Sequence, residues 1–346
     1  MLRLALLSLT ATLFAADFRT ERVFGKEVPT GPYKHPASIA AFRNGDLYLC
    51  YYGGAGEYAT DTSVYGSRLK KGTTTWTAPK VIAHDPLRST GNGVVWEAPD
   101  GTVWLFYVVR FGETWSESRV QVKVSHDLAE TWSDASLLVL NEGMMVRSHP
   151  IALRNGDYLL PLYHEVGHDP EVVGKDSASL FLYYDHKKKT WTPTNEIHSR
   201  IGNIQPSVVQ IDDKYLIAYC RRGGGYGATK DGWLVRSESH DGGHTWSAGM
   251  ETKFPNPNSA VEFLRLNSGH LLLIYNDSMD DRTPLRAALS VDGDKTYSRQ
   301  RDIAIGKHDY AYPSAIQTPD GKIHLVYTAD GRTVIHHAVF DEDWVR

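Results

Sequence analysis

A short turn sequence that recurs along this 346-residue chain constrains its fold more than any other feature. The copy SHDGGHTWS at 239–247 is the clearest of six. The others are SHDLAETWS at 125–133, YDHKKKTWT at 184–192, SVDGDKTYS at 290–298, a degenerate copy at 67–77 and a truncated one at 340–345. Their aromatic residues recur about every fifty residues, a spacing typical of propeller blades. These residues are Trp76, Trp132, Trp191, Trp246, Tyr297 and Trp344.

A second repeated pattern precedes each copy. It consists of an apolar run, a turn dipeptide such as Asn-Gly or Asp-Gly, and another apolar run. PASIAAFRNGDLYLCYY from Pro36 and PSAIQTPDGKIHLVYT from Pro313 are its first and last examples. This pattern predicts a β-hairpin. Two hairpins in each unit give four strands, so the sequence predicts an all-β fold, a six-bladed β-propeller with four-stranded antiparallel blades.

The two ends of the chain predict how the ring closes. Only two residues follow Trp344, so the last blade lacks an outer strand, while FRTERVFG at about 18–25 has no partner in the first blade. We expect this segment to complete the last blade, because that removes two exposed sheet edges. Blades one and four then face each other across the channel, so Cys50 and Cys220 should not form a disulfide.

The net charge and the N-terminal residues indicate which ligands and which cellular location to expect for the protein. The net charge of -4 gives no reason to expect a nucleic-acid ligand. The first residues carry one positive charge, Arg3, and then an apolar run that ends at Ala15 and Ala16, as in a secretory signal. We therefore expect a signal peptide at 1–16, one propeller domain at 17–346, and a secreted or periplasmic protein without a membrane span in its mature chain.

The turn motif is predicted to be scaffold, because its Asp241 is placed to accept backbone N–H groups of the turn. Chemistry is expected instead at the channel mouth where the inner strands begin, since side chains from all six blades meet there. Several arginines are expected at that mouth. They indicate an anionic ligand, because guanidinium groups bind carboxylates through two hydrogen bonds.

The S-x-D-x-G-x-T-W turn, repeated in a six-bladed propeller, resembles the sialidase (neuraminidase) superfamily with its Asp-box repeats. The resemblance covers nearly the whole chain after the predicted signal peptide. It implies retaining hydrolysis of a terminal sialic acid or related acidic sugar, without a cofactor. The family's tyrosine nucleophile begins the sixth inner strand and matches Tyr312. Its aspartate acid/base precedes the third strand of blade one and matches Asp61.

The resemblance also implies an arginine triad that binds the substrate carboxylate. Its second member matches Arg221, with Arg222 as the alternative, and its third matches Arg286, with Arg282 less favoured. The first is replaced by Lys34, in the sequence Lys-His-Pro. Other residues expected at the mouth as substrate-binding groups are His35, Arg147 and Tyr310.

Two departures from the family pattern affect the chemistry. The glutamate that takes the proton from the tyrosine corresponds to Gln205, which cannot accept a proton, and a lysine lacks the planar fork of arginine. A phenol has a pKa of about 10, so Tyr312 needs a base or a positive field to react at neutral pH. His149 is the first candidate for a substitute base, and Glu165 is the second.

The sequence HEVGH at 164–168 matches the zinc-protease motif, which works on a helix. Here it follows the strand pattern YLLPLY and runs into Asp169-Pro170, so a helix is not expected. A loop metal site formed by His164, His168 and Asp169 is less favoured than pocket histidines without a metal, and no metal site is predicted.

Three functions remain open at this stage. The first is an exported glycoside hydrolase of the sialidase type. The second is a polysaccharide lyase or glycosidase that acts on uronic-acid glycans through a His/Tyr pair, and the third is a non-catalytic propeller that binds acidic glycans. Gln205 favours the last two, whereas Asp61, Arg221 and Tyr312 favour the first. In each case the expected partner is an acidic glycan or glycoconjugate.

Overall fold

Six antiparallel sheets form the blades of a propeller in a computed structural model that describes residues 17–169 and 172–346. The predicted signal peptide at 1–16 lies outside the described residues. The fold is therefore the six-bladed β-propeller that the repeats predict. In the described part of the chain no helix is long and apolar enough to cross a membrane.

The strands follow one another from the inner to the outer edge of each blade. Blade one contains β2 (Tyr33–Ala41), β3 (Leu47–Gly54), β4 (Ser63–Leu69) and β5 (Lys80–Ala83). Blade two contains β6 (Thr90–Glu97), β7 (Val103–Arg110), β8 (Ser118–Ser125) and β9 (Ser136–Val139). Blade three contains β10 (Met144–Val146), β11 (Ile151–Ala152), β12 (Tyr158–His164), β13 (Ala178–Asp185) and β14 (Thr190–Pro193). In blade three the inner strand is split, and β10 and β11 both pair with β12.

Blades four to six have the regular four-strand order. They contain β15 (Asn203–Gln210), β16 (Leu216–Arg222), β17 (Trp233–Ser239) and β18 (Met250–Pro255); β19 (Glu262–Arg265), β20 (Leu271–Asn276), β21 (Leu285–Ser290) and β22 (Arg299–Ala304); and β23 (Ala311–Gln317), β24 (Ile323–Ala329), β25 (Val334–Phe340) and β1 (Arg19–Phe24). A 3-10 turn at Trp115–Glu117 and a short helix, α1 (Glu342–Val345), supplement the strands.

The ring is closed by the N-terminal strand, as the chain ends predict. β1 pairs antiparallel with β25, with Arg19 opposite Val339. Just before β1, the ring of Phe18 stacks on that of Trp344 at 4.5 Å between centroids. Cys50 and Cys220 are buried and are not bonded to each other.

The repeated turn has the structural role predicted for it. The Asp241 carboxylate accepts hydrogen bonds from the backbone N–H and hydroxyl of Thr245 at 2.9 and 2.6 Å, and from the Ser239 hydroxyl at 2.9 Å. Trp246 stacks on Phe181 of the preceding blade at 4.2 Å between ring centroids. The turn therefore fixes its own hairpin and joins it to the neighbouring blade.

Substitution of Asp241 by alanine is expected to lower the melting temperature by about 2–4 °C, since it removes the four turn hydrogen bonds that the carboxylate accepts from Ser239, His244 and Thr245. Thermal unfolding followed by circular dichroism measures this effect. Asp213→Ala is the matched control, because the Asp213 carboxylate is exposed and, among the described residues, has the Arg154 guanidinium as its ion-pair partner. A melting temperature of Asp241→Ala equal to that of the wild type would contradict the scaffold role.

A bulge at the start of several inner strands determines which side chains reach the channel. The pairing register shifts between Gly91 and Val94 in β6, between Ile204 and Ser207 in β15, and between Ala311 and Ser314 in β23. Each bulge contains a non-glycine residue in the left-handed region. These residues are Asn92, Gln205 and Tyr312, with φ of 48°, 55° and 56°. A bulge redirects a side chain, and a left-handed non-glycine residue often marks a functional position.

Candidate active site

The loops that join the second and third strands of all six blades surround one mouth of the channel. Each loop contributes one or more polar or aromatic side chains. In blade order these include Glu57, Trp115, Glu165, Tyr226, Arg282 and Arg332. The cavity at this mouth has a volume of about 30 Å³. Its wall combines aromatic rings with a few convergent polar groups, as ligand sites generally do.

Tyr312 lies at the centre of this mouth and its hydroxyl is held by two side chains. Arg221 donates from Nη1 to the Tyr312 oxygen at 2.6 Å, and Gln205 donates from Nε2 at 3.3 Å. The Gln205 Oε1 accepts from the same Arg221 nitrogen at 3.1 Å. A guanidinium group only donates, so this contact fixes which end of the Gln205 amide faces the phenol.

Arginines surround the ring of Tyr312. The guanidinium carbons of Arg147, Arg221 and Arg282 lie 5.5, 5.7 and 5.5 Å from the ring centroid. Burial raises the pKa of Tyr312, but the positive charges of Arg221, Arg282 and Arg332 outweigh it, so the pKa lies below the ordinary value for a phenol. The arrangement favours negative charge on the phenol oxygen and on a bound ligand.

Two loop residues that the sequence pattern does not predict as site residues, Glu57 and Arg332, lie at this mouth. Glu57 forms an ion pair with Arg332, and Trp115 donates from its indole N–H to Glu57 at 3.2 Å. Asp61, the predicted acid/base, is exposed, and its carboxylate accepts from the Ala55 N–H at 3.1 and 3.3 Å. Within this loop Glu57, not Asp61, lines the cavity.

Contrary to the expectation from the sequence, the Lys34 side chain does not point into the cavity. Its ammonium group donates to the backbone carbonyls of Gly31 and Val28. The neighbouring His35 faces the cavity instead, with its ring edge against the Tyr312 ring at 4.2 Å between centroids. Burial holds the pKa of His35 well below its ordinary value, so its imidazole is neutral at pH 7.

Of the two candidates for the third arginine, the structure places the less favoured one at the site. Arg282 is buried against Tyr312, whereas Arg286 lies on β21 and forms ion pairs with Asp277 and Asp302. β21 begins at Leu285, so Arg286 belongs to a sheet ladder and Arg282 to the loop before it.

Arg222 and Tyr310 are also directed away from the cavity. Arg222 donates from Nε to the Asn256 carbonyl at 2.6 Å, and Tyr310 donates its hydroxyl proton to the Ile305 carbonyl at 3.0 Å. Arg221, next to Arg222 but on the other face of the strand, is the residue that reaches the cavity.

His149 lies at the far end of the channel, contrary to its expected role as the base for Tyr312. It lines a second cavity formed by the distal ends of β2, β6 and β23. Its Nε2 is 3.0 Å from the Ser38 hydroxyl, and burial lowers its pKa to about 4. The Arg147 guanidinium lies against the Tyr312 ring, donates to the Pro313 carbonyl and is 3.9 Å from Glu262, which lines the second cavity.

Glu165 lines the cavity beside Tyr312, Tyr163 and Gln205. Burial raises the pKa of its carboxyl to about 7. The HEVGH segment that contains it is not helical, because β12 ends at His164 and a loop follows. A carboxyl with this pKa exchanges protons readily near neutral pH, which suits general acid/base chemistry.

Tyr226 covers the arginines from a glycine-rich loop after β16. Arg221 donates from Nη2 to the Tyr226 hydroxyl at 3.1 Å. The guanidinium carbons of Arg221 and Arg282 lie 5.6 and 5.3 Å from the Tyr226 ring centroid. A ligand that binds both arginines must therefore displace the Tyr226 hydroxyl.

The fold and the repeated turns define a sialidase-like BNR propeller. The profile of the BNR repeat-like domain family matches residues 45–325, and the chain belongs to that family. A comparison with curated proteins finds no match.

Solved structures of the same fold include a sialidase, an intramolecular trans-sialidase and a protein of unknown function. The Hadza microbial sialidase Hz136 superposes with a TM-score of 0.79 at 15% identity, over 94% of this chain and 69% of that one. An intramolecular trans-sialidase from Ruminococcus gnavus gives 0.74 at 15% identity, over 93% and 97% of the two chains. The Dyadobacter fermentans protein of unknown function gives 0.76 at 17% identity, over 94% and 99%.

Proposed function

We propose that the protein is an exported glycoside hydrolase of the sialidase type, secreted or periplasmic, that removes a terminal sialic acid or related acidic sugar with retention of configuration. The observation that carries this proposal is the buried Tyr312 hydroxyl, bound by Arg221 and Gln205 at an arginine-rich cavity. The solved sialidase and the intramolecular trans-sialidase share its fold.

In this proposal Arg221, Arg282 and Arg332 bind the substrate carboxylate. Among the described residues the guanidinium group of Arg282 has one hydrogen-bond partner, the Asn258 carbonyl at 3.2 Å from its Nη2, which leaves Nε and Nη1 for a ligand. The substrate carboxylate would take the place of the Tyr226 hydroxyl on Arg221 and of Glu57 on Arg332. Because guanidinium groups bind carboxylates through paired hydrogen bonds, this set selects a planar anionic group.

The reaction would proceed in two displacements. The phenolate oxygen of Tyr312 attacks the anomeric carbon, and the bond from that carbon to the glycosidic oxygen breaks while Glu165 gives its proton to the departing oxygen. Glu165, then ionised, takes a proton from water as that water attacks the same carbon and releases Tyr312. We assign the acid/base role to Glu165 instead of Asp61 because Glu165 lines the cavity and has a raised pKa.

The direct test is hydrolysis of an α-sialoside by the full chain, followed by proton NMR of the first-formed sugar anomer. We expect release of the α-anomer, since two displacements retain configuration. Release of the β-anomer, or binding without turnover, would contradict the proposal.

A lyase acting on uronic-acid glycans is the second candidate, and the contact between His35 and Tyr312 favours it. A lyase would generate an unsaturated product that absorbs ultraviolet light. Incubation with uronate polymers, monitored by absorbance, distinguishes it from the hydrolase.

Arg282→Lys is expected to lower kcat/KM for the sialoside by about 30-fold, because lysine keeps the charge but loses the paired donors. Arg286→Lys is the matched control and is expected to change kcat/KM by less than about threefold, as a remote surface ion pair. Steady-state kinetics of the two variants check this. Equal losses, or a larger loss in Arg286→Lys, would contradict the assignment of Arg282.

A further inference from the structure

We infer that Tyr312 is a phenolate in the resting protein at neutral pH, and that Gln205 is a positioning residue that keeps it ionised by donating a hydrogen bond. The catalytic meaning of this inference rests on the proposed function. The ionisation itself is a property of the free protein and is measured without substrate.

In both hydrogen bonds at the Tyr312 oxygen, the neighbouring side chain is the donor and the Tyr312 oxygen is the acceptor. Arg221 donates at 2.6 Å and Gln205 at 3.3 Å. A flipped Gln205 amide would place its NH₂ group against the Arg221 Nη1, which already donates to Oε1 at 3.1 Å. The orientation with NH₂ toward the phenol is therefore the one that this arginine permits.

A neutral phenol at this position would lack an acceptor for its own proton. Within residues 17–169 and 172–346, no hydrogen bond from the Tyr312 hydroxyl to an acceptor is present. Of the two cavity carboxyls, Glu57 is engaged by Arg332 and Trp115. A buried donor without a partner is costly, whereas a phenolate uses both incoming hydrogen bonds and strengthens them.

The surrounding charges act in the same direction. The charged and titratable groups around Tyr312 are Arg221, Arg282, Arg332, Glu57, Glu165, His35, Tyr163, Tyr226 and, beneath the ring, Arg147 with Glu262. Glu57 forms an ion pair with Arg332, and Glu262 forms one with Arg147. The positive charges of Arg221 and Arg282 are then the ones that stabilise the phenolate. The lowered pKa of Tyr312 agrees with this geometry.

The glutamine at position 205 then contributes to the activation of Tyr312. A glutamate there would place a second negative charge beside the phenol oxygen and would favour the protonated form. With glutamine, the positive field supplies the activation that a base would otherwise give, and the attacking oxygen has no proton to lose.

The test is carbon-13 NMR of the full chain labelled at tyrosine Cζ, whose resonance differs between phenol and phenolate. At pH 7.5 we expect one resonance at the phenolate position that is absent from Tyr312→Phe. In Gln205→Glu its midpoint should rise by about one pH unit or more. Gln210→Glu, at the other end of the same strand, adds the same charge and should leave the midpoint unchanged.

A wild-type spectrum without a phenolate resonance at pH 7.5 would overturn the inference, whatever the activity. A phenolate resonance in a protein that does not cleave sialosides would support the inference and refute the proposed hydrolase. An unchanged midpoint in folded Gln205→Glu would overturn the role of Gln205. If that variant does not fold, comparison of wild type with Tyr312→Phe still decides the ionisation.

Discussion

Tyr312→Phe is expected to lower kcat for sialoside hydrolysis by on the order of 10³-fold or more, because it removes the nucleophilic oxygen. The phenyl ring keeps its edge contact with His35 and its place among the guanidinium groups. Arg221 also keeps its hydrogen bonds to Gln205, Asn258 and Tyr226. The variant should therefore remain folded, and initial rates together with circular dichroism measure the two properties separately.

Tyr310→Phe is the control for this substitution. It removes a hydroxyl two residues away that donates to the Ile305 carbonyl and does not line the cavity. We expect its kcat to stay within about threefold of wild type, as for a group that does not touch the substrate. Undiminished hydrolysis by folded Tyr312→Phe would show that another group attacks the sugar.

The fold could be predicted almost completely from the sequence because the repeat determines it. Each unit contains two hairpins with recognisable turns, and the aromatic residue of the second turn recurs about every fifty residues. The closing strand β1 was also predictable, since a blade that ends at Trp344 needs an outer strand from elsewhere.

The same regularity placed the central residues of the site. Tyr312 and Gln205 begin inner strands and Arg221 ends a second strand, so their positions in the blade follow from the strand boundaries. The structure brings these three into direct hydrogen-bond contact. Their chemical roles remain proposals.

For some residues the position predicted from the sequence differs from the observed one, because their direction is set by features that the hydrophobic pattern does not encode. At the start of β2 the register shifts between Lys34 and Ala37, and this shift decides that His35 faces the cavity while Lys34 faces backbone carbonyls. Glu57 and Arg332 belong to loops, where spacing along the chain does not fix direction. Their partnership across the ring joins the first blade to the last.

Glu165→Gln is expected to lower kcat/KM by on the order of 10²-fold for sialosides with an alkyl leaving group, because the departing oxygen then receives no proton. The loss should be smaller for an aryl leaving group, which departs readily without a proton. Asp61→Asn is the matched comparison. Its side chain is exposed and bound to the Ala55 N–H, so we expect a change of less than about threefold.

The pH dependence separates these two carboxyls further. With a pKa of about 7, the Glu165 carboxyl is protonated below that pH and ionised above it. An acid must hold its proton to give it away, so wild-type kcat/KM for alkyl sialosides should fall as the pH rises through about 7. In Glu165→Gln this decline should disappear. A large loss in Asp61→Asn, with the decline retained in Glu165→Gln, would return the acid/base role to Asp61. If the decline instead disappears in Glu165→Gln, the reactive pair is an ionised Tyr312 and a protonated Glu165. Positive charges lower the pKa of Tyr312 and burial raises the pKa of Glu165, so both pKa values are shifted toward neutral pH.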